Sequence, residues 1–442
     1  MVYKKFIVKG KKMKNNIKNK LPWRRLDNSA KIFPMSTGKK YSTVFRLSVV
    51  LKEEVQPDIL QKAVQEALEK YQSFKVRLKA GFFWYYLEQN NKKPLVEEEK
   101  DYPCKYINPR INKGYLFKVT YFKNKINIDI FHSLTDGNGG SIFFREIIYT
   151  YLEMCHSEEL KSNNRQPRKI EEYNTEDSYI KNYDKKLKSK PSGKRAYELK
   201  GKKIKLGAVS AIHQLIDSEQ LKMECKKYDV TVTQYLTAVL LHSIYIENYI
   251  KNKGKKPIKI CIPVSLQKYF PSKTISNFFS YITLSAEVND EKIDTFEKMV
   301  EFVKERFKNL LTEEEITKTM SANVKLGNNP LVKIIPLFLK NIIVRLSYLE
   351  IRKYSTITYS NIGRIGILGE YKKYIDYFLV LIAPDPVEII KCSSCTFENK
   401  VVFTFTSVLN DSKIEKAFYM FLKNKGISVG LETNGVLEGD FI

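Results

Sequence analysis

Phe131-His132-Ser133-Leu134-Thr135-Asp136-Gly137-Asn138-Gly139-Gly140 is the stretch on which the reading of this chain turns. Before it, Ile126, Ile128 and Ile130 alternate with polar residues, the period of a half-buried strand. His132 is in phase with these isoleucines and so points to the covered side. After it, Phe143, Phe144, Ile147, Ile148, Tyr151 and Leu152 recur at helical spacing. The imidazole therefore stands where a strand ends and a glycine-rich turn enters a helix, with Asp136 four residues on to brace the loop. A histidine in a strand is ordinarily a satisfied core residue. The strand end, the Asp136-Gly137 step and the glycine cluster favour a functional one here.

At 442 residues the chain is too long for one ordinary core, which predicts two domains. A hydrophobic share of 43% excludes a disordered chain. Net charge is +27, from 76 Lys and Arg against 49 Asp and Glu. Part of this reflects a general richness in Lys, Asn, Ile and Tyr. The rest makes a field that attracts anions such as phosphorylated cofactors, acidic carrier proteins or anionic lipid. Nucleic acid is not expected, because no zinc spacing or RNA-binding signature accompanies the charge. The six cysteines do not form a disulfide framework, and Cys392-Ser-Ser-Cys395 lacks a second CxxC, so no metal or redox site is expected. His156, His213 and His242 show no metal spacing and read as surface or core histidines.

The first twenty residues carry eight lysines and no acid, but no apolar signal region follows. No run approaches about 18 uninterrupted apolar residues, so no transmembrane segment is expected. The most apolar stretch, Leu331 to Leu349, is broken by Lys333, Pro336, Lys340, Asn341 and Arg345. It reads as a buried helix with a basic edge rather than an interfacial one. A soluble, cytoplasmic monomer follows.

Residues 1–20 read as a basic arm, 21–165 as a first half and 206–442 as a second. The linker, 166–205, lies in the polar run from Lys161 to Lys205, which holds Pro167, Pro191 and Gly193. Strands and amphipathic helices alternate in both halves. Asp58 is placed to cap the first long helix, and strands close the chain before a last helix from Ser412 to Lys423. One internal echo is visible: Asn124 to Asp136 can be laid over Asn399 to Asp411, each an Asn-Lys turn, a strand and an Asp before a helix. Two similar α/β halves would follow, with His132 answered by Ser407 and one active site between them.

His132-x-x-x-Asp136-Gly137 resembles the HxxxDG motif of the chloramphenicol-acetyltransferase-like acyltransferase superfamily, which includes condensation domains and wax-ester synthases. Around it, Trp23 to Asp27, Tyr71 to Arg77, Gly81 to Trp84, Val232 to Ala238, Ile262 to Leu266 and Ser276 to Phe279 look like bacterial alcohol-acetyltransferase-like proteins. Ser360-Asn361-Ile-Gly363 is similar to a Ser-Asn segment of the wax-ester-synthase branch. The resemblance implies an α/β fold of two α+β sandwich halves with an active-site tunnel between them. Two departures stand out. Condensation domains carry two histidines in the motif where this chain has Phe131 and His132, and the DFGWG segment of the plant enzymes is absent.

By this resemblance His132 is the general base that deprotonates an acceptor hydroxyl or amine, which then attacks a thioester directly. Asp136 is structural and pairs with an arginine, for which Arg77 is the candidate. Gly137 lets the chain turn. Asn277, Ser360 and Asn361 are candidate oxyanion or substrate contacts, and each also fits a turn or sheet-end hydrogen bonder. No cofactor is held permanently; acetyl-CoA or another acyl-CoA serves as cosubstrate, with a small-molecule acceptor. No Gly-x-Ser-x-Gly or GxxxxGK[ST] offers another chemistry. Three functions stay open: an acyl-CoA-dependent alcohol acyltransferase, a condensation-type catalyst fed by an acyl carrier protein, and a catalytically silent module of the same fold.

Overall fold

The computed structural model describes residues 23–38, 41–161, 172–187, 193–287 and 293–436. The expected basic arm, and the linker stretches 162–171 and 188–192, lie outside them. Strands of the first half are β1 (Trp23–Arg25), β2 (Val44–Leu51), β3 (Val76–Ala80), β4 (Tyr85–Gln89), β5 (Val96–Glu98), β6 (Phe117–Phe122) and β7 (Lys125–Phe131). Those of the second are β8 (Ser210–Asp217), β9 (Ile258–Ser265), β10 (Phe279–Ala286), β11 (Ile357–Arg364), β12 (Ile375–Ile382), β13 (Ile390–Phe397), β14 (Lys400–Ser407) and β15 (Val429–Thr433).

Among the described residues three sheets result, with strand orders β1-β4-β3, β12-β2-β7-β6-β5 and β10-β9-β11-β13-β14-β8-β15. One apolar core lies under the five-stranded sheet, with the Pro57–Lys70 and Gly137–Cys155 helices packed on it. A second core holds the seven-stranded sheet with the Val232–Ile244, Phe296–Leu310 and Lys413–Asn424 helices. The boundary at 206 needs correction, because β12 pairs antiparallel with β2 from Ile375↔Leu51 to Ile382↔Phe45 and so completes the sheet of the first half.

The echo between Asn124–Asp136 and Asn399–Asp411 is present in the topology. β6–β7 and β13–β14 are both antiparallel hairpins closed by two residues, Lys123-Asn124 and Glu398-Asn399. In each the first turn residue takes the left-handed region, Lys123 at φ 51° and Glu398 at φ 46°. β7 then pairs with β2 as β14 pairs with β8, and each leads to a helix.

Other expectations shift. β7 is buried on both faces rather than one: Asn127 accepts from the Ser48 hydroxyl at 2.7 Å, and Asp129 holds the Arg46 guanidinium. Such side chains can be buried because they are paired. Asp58 lies in the first turn of its helix, whose N-cap is Gln56, so it is not the cap. The two thiols of Cys392-Ser-Ser-Cys395 fall on opposite faces of β13, one in each core. The apolar Leu337–Arg352 helix is not buried: Phe338, Ile342 and Leu346 are exposed while Lys340 is inside.

Candidate active site

β7 carries the chain to Phe131, and the next residue, His132, donates its backbone N–H to the Thr43 carbonyl at 3.1 Å. Thr135 and Asp136 then turn it into the Gly137–Cys155 helix. Asp136 is the N-cap: one carboxyl oxygen accepts from the Asn138 and Gly139 amides at 3.0 and 3.1 Å. Its other oxygen accepts from the Phe278 amide of the second half at 2.9 Å. The expected arginine partner is therefore corrected. Asp136 is satisfied by three backbone N–H groups, while Arg77 lies on β3 in an ion pair with Glu88 at 2.5 Å. Burial raises the Asp136 carboxyl against the pull of those amides.

The glycine that the turn requires is also another one. A Cβ on Gly137 would meet only the Ile362 side chain at 3.4 Å, and Gly137 does not take a positive φ. A Cβ on Gly139 would stand 2.1 Å from the Thr135 hydroxyl and 2.4 Å from the Ile275 carbonyl. Gly139 lets the helix start lie against the second half.

The His132 ring is held by three aromatic neighbours and one amide. Phe33 stacks on it with centroids 4.5 Å apart, and Phe45 and Phe279 lie at 5.1 and 5.4 Å. Nδ1 is 3.0 Å from the Asn277 Oδ1. Asn277 in turn donates its Nδ2 to Asp27 at 3.0 Å and its backbone N–H to the same oxygen at 3.2 Å, while Ala30 N–H donates to the other at 2.8 Å. A carboxylate accepts, so it turns the Asn277 NH2 toward Asp27 and the carbonyl oxygen toward the ring. Nδ1 must then carry the ring proton, and Nε2 keeps its lone pair. Burial lowers the His132 pKa and keeps the imidazole neutral; Lys391 adds to this from a distance.

Burial also pushes the Asp27 carboxyl up to about 6. Arg24, close enough to feel that carboxylate, is itself lowered to about 10 by desolvation and donates to the Ser73 carbonyl at 3.2 Å. Tyr179, from the linker region, exchanges hydrogen bonds through its hydroxyl with Phe279 N–H and carbonyl at 2.9 and 2.8 Å, which seats the Phe279 strand beside the imidazole.

The structure thus brings His132, Asp136 and Asn277 together at the seam of the halves. Asn277 is fully buried against His132 and Asp27 rather than turned to a substrate. Asn361 is a bulge residue, with its amide on Thr233 at 2.8 Å and its carbonyl oxygen accepting from Gly363 N–H at 2.7 Å. Ser360 sits on the same strand opposite Ser393. His213, by contrast, is a satisfied core histidine, 2.9 Å from the Thr404 hydroxyl and lowered to about 3 by burial. A cavity of about 300 Å³ opens elsewhere, in the first half, lined by Arg46, Glu99, Lys105 and Asp129 among others. Asp27, Phe33, Phe45 and Phe279 are the site residues that sequence reasoning did not single out; Asp27 and Phe279 end two of the family-like segments, but no spacing connects any of the four to His132.

No family model matches the chain, and no curated protein matches it in sequence. Solved structures match it in fold. TRI101 of F. graminearum, complexed with coenzyme A and deoxynivalenol, has a TM-score of 0.61 at 12% identity, over 92% of this chain and 99% of that one. TRI3 trichothecene 15-O-acetyltransferase from Fusarium sporotrichioides gives 0.60 at 8%, over 91% and 95%. The first condensation domain of the CDA synthetase gives 0.58 at 11%, again over 91% and 95%.

Proposed function

We propose that this chain, whose fold is that of the chloramphenicol-acetyltransferase-like proteins and condensation domains, is an acyltransferase with His132 as its general base. The reaction moves an acyl group, an acetyl in the simplest case, from a coenzyme A thioester to an alcohol hydroxyl. One observation carries the reading: the Asp27–Asn277–His132 chain fixes the ring tautomer with Nε2 bare. A buried histidine kept only for packing has no need of a carboxylate that dictates its proton.

Nε2 takes the hydroxyl proton as the alkoxide oxygen attacks the thioester carbonyl. The tetrahedral intermediate collapses, the C–S bond breaks, and the departing thiolate recovers the proton from the imidazolium. Ester and free coenzyme A thiol leave. Asp27 and Asn277 act through His132 as positioning residues. Ser360, on β11, is the candidate donor to the oxyanion. Coenzyme A bound to a structure of the same fold supports the choice of donor, and the +27 charge of the chain suits its phosphates.

The test is thiol release from acetyl-CoA with a panel of alcohols. The wild-type chain is expected to turn over, and His132→Ala to lose roughly 10²–10⁴-fold in kcat. Equal rates for the two proteins would sink the mechanism. Release from an acyl carrier protein but not from coenzyme A would move the assignment to a condensation-type catalyst.

A further inference from the structure

A helix that meets water keeps its charges outside and its apolar side chains inside. The Leu337–Arg352 helix does the reverse. Lys340 is buried, its ammonium donating to the Phe83 carbonyl at 2.8 Å and lying 3.5 Å from the centre of the Trp84 ring. Phe338, Ile342 and Leu346 recur at every fourth residue along one stripe and are 66%, 57% and 64% exposed. Leu339 and Ile343, also exposed, widen it. The turn between β3 and β4 continues the surface: Leu337 N–H donates to the Phe82 carbonyl at 2.8 Å, and the Phe82 ring is 73% exposed. So contiguous an apolar face marks a site of contact rather than scattered surface residues.

The charges around it are mostly basic, and Glu350, the next position along the stripe, is paired with Arg195 and with Lys353 at 2.9 Å. No acidic residue occurs from Pro330 to Leu349, Lys333 and Arg345 are exposed beside the stripe, and Lys31 faces the same Trp84 ring.

We propose that this face docks on an anionic lipid bilayer, with the stripe entering the acyl boundary and the basic rim meeting the headgroups. No helix among the described residues is long and apolar enough to cross a membrane, so the contact lies on the surface. A second copy is a poorer occupant, because a two-fold contact would bring the basic rims of both molecules together. A protein partner would have to set an apolar patch inside an acidic rim, and capture of an acidic carrier protein is kept as an outcome of the test. The docking has a consequence for the site, which rests on the acyltransferase reading. The Phe33–Ser36 helix packs against the Leu337–Arg352 helix, and its Phe33 stacks on His132. Phe33 thus links the docking face to the imidazole by direct packing.

Cosedimentation of the full chain with vesicles of phosphatidylcholine, with and without phosphatidylglycerol, tests the docking. Binding to the anionic vesicles is expected, weakening as salt rises. The Phe338→Asp/Ile342→Asp variant should partition about tenfold or more weakly. Both positions are exposed and outside the active site, so its thiol release with a water-soluble alcohol should match the wild type. Vesicle binding without any thiol release would overturn the acyltransferase reading and leave the docking standing. The docking is overturned if the wild-type chain stays in the supernatant, or if the variant binds as tightly. It is equally overturned if the substitutions only split a dimer in sedimentation velocity, or only abolish binding of an acyl carrier protein.

Discussion

An amide has one donor end and one acceptor end, and Asn277 directs them at Asp27 and His132 respectively. Asp27→Asn removes the reason for that orientation. Asn277 is then free to turn its NH2 toward the ring, which places the ring proton on Nε2 and disables the base. Turnover should fall by up to about 10⁴-fold, the loss that follows when a histidine base is held in the wrong tautomer, with KM for acetyl-CoA unmoved. The acid limb should change too. In the wild type the Asp27 carboxyl, raised to about 6 by burial, protonates as pH falls through that value and loosens its hold. A pH–rate profile of Asp27→Asn that superposes on the wild type would exclude this coupling. His132 is legible in sequence because a strand, a polar turn and a helix are all local. Asp27 is not, since it meets Asn277 across 250 residues and no periodicity joins them. A second residue-scale prediction concerns Glu415, buried in the second core with no partner among the described residues for its carboxyl oxygens beyond its own backbone. Burial pushes its pKa up to about 8 from an ordinary 4.5. Its contribution to stability is therefore full below about 4.5 and is lost as pH rises through 8, at about 1.4 kcal/mol per pH unit between them. Denaturant melts at pH 5 and pH 8 should show Glu415→Gln with the shallower pH slope, and identical slopes would contradict it.

At the scale of one element, the Gly137–Cys155 helix begins at a cap that also ties the two halves. Asp136→Ala leaves the Asn138 and Gly139 amides uncapped and the buried Phe278 N–H without an acceptor. Loss of a cap and of one buried bond should cost roughly 2–4 kcal/mol, read as a lower thermal midpoint. Adding Arg77→Met should recover nothing, because that guanidinium pairs with Glu88 rather than Asp136. A rescued midpoint in the double variant would restore the ion pair that the geometry excludes. The misreading has a physical source. A motif names the residue types but not their partners, and backbone amides leave no trace in sequence. The exposed face of the Leu337–Arg352 helix is not legible for a related reason: hydropathy counts apolar residues but does not say on which side a single buried lysine will fall. The hairpins are legible, since turn chemistry and alternation are encoded within a dozen residues.

For the whole molecule, the halves repeat one local topology, yet neither is a closed unit in sequence. All eight residues of β2 are buried, and one edge of that strand is covered only by β12, more than 300 residues later. β12 itself buries Phe378, Leu379, Val380 and Leu381. Reading the chain in order divides it near residue 206, because the polar run there is conspicuous, whereas a strand that crosses between sheets looks like any other. A fragment ending at residue 205 would therefore expose the β2 edge and the apolar surface that β12 covers. Unpaired apolar edges recruit other chains. Such a fragment, expressed alone, should aggregate or melt without a cooperative transition. Coexpression with residues 206–442 should recover soluble material that copurifies as one complex, because β12 then pairs with β2 in trans. The full chain should melt in a single transition by both calorimetry and near-ultraviolet dichroism, since no boundary separates independently stable cores. A monomeric, cooperatively folding fragment ending at residue 205 would show instead that the first half closes its sheet without the borrowed strand.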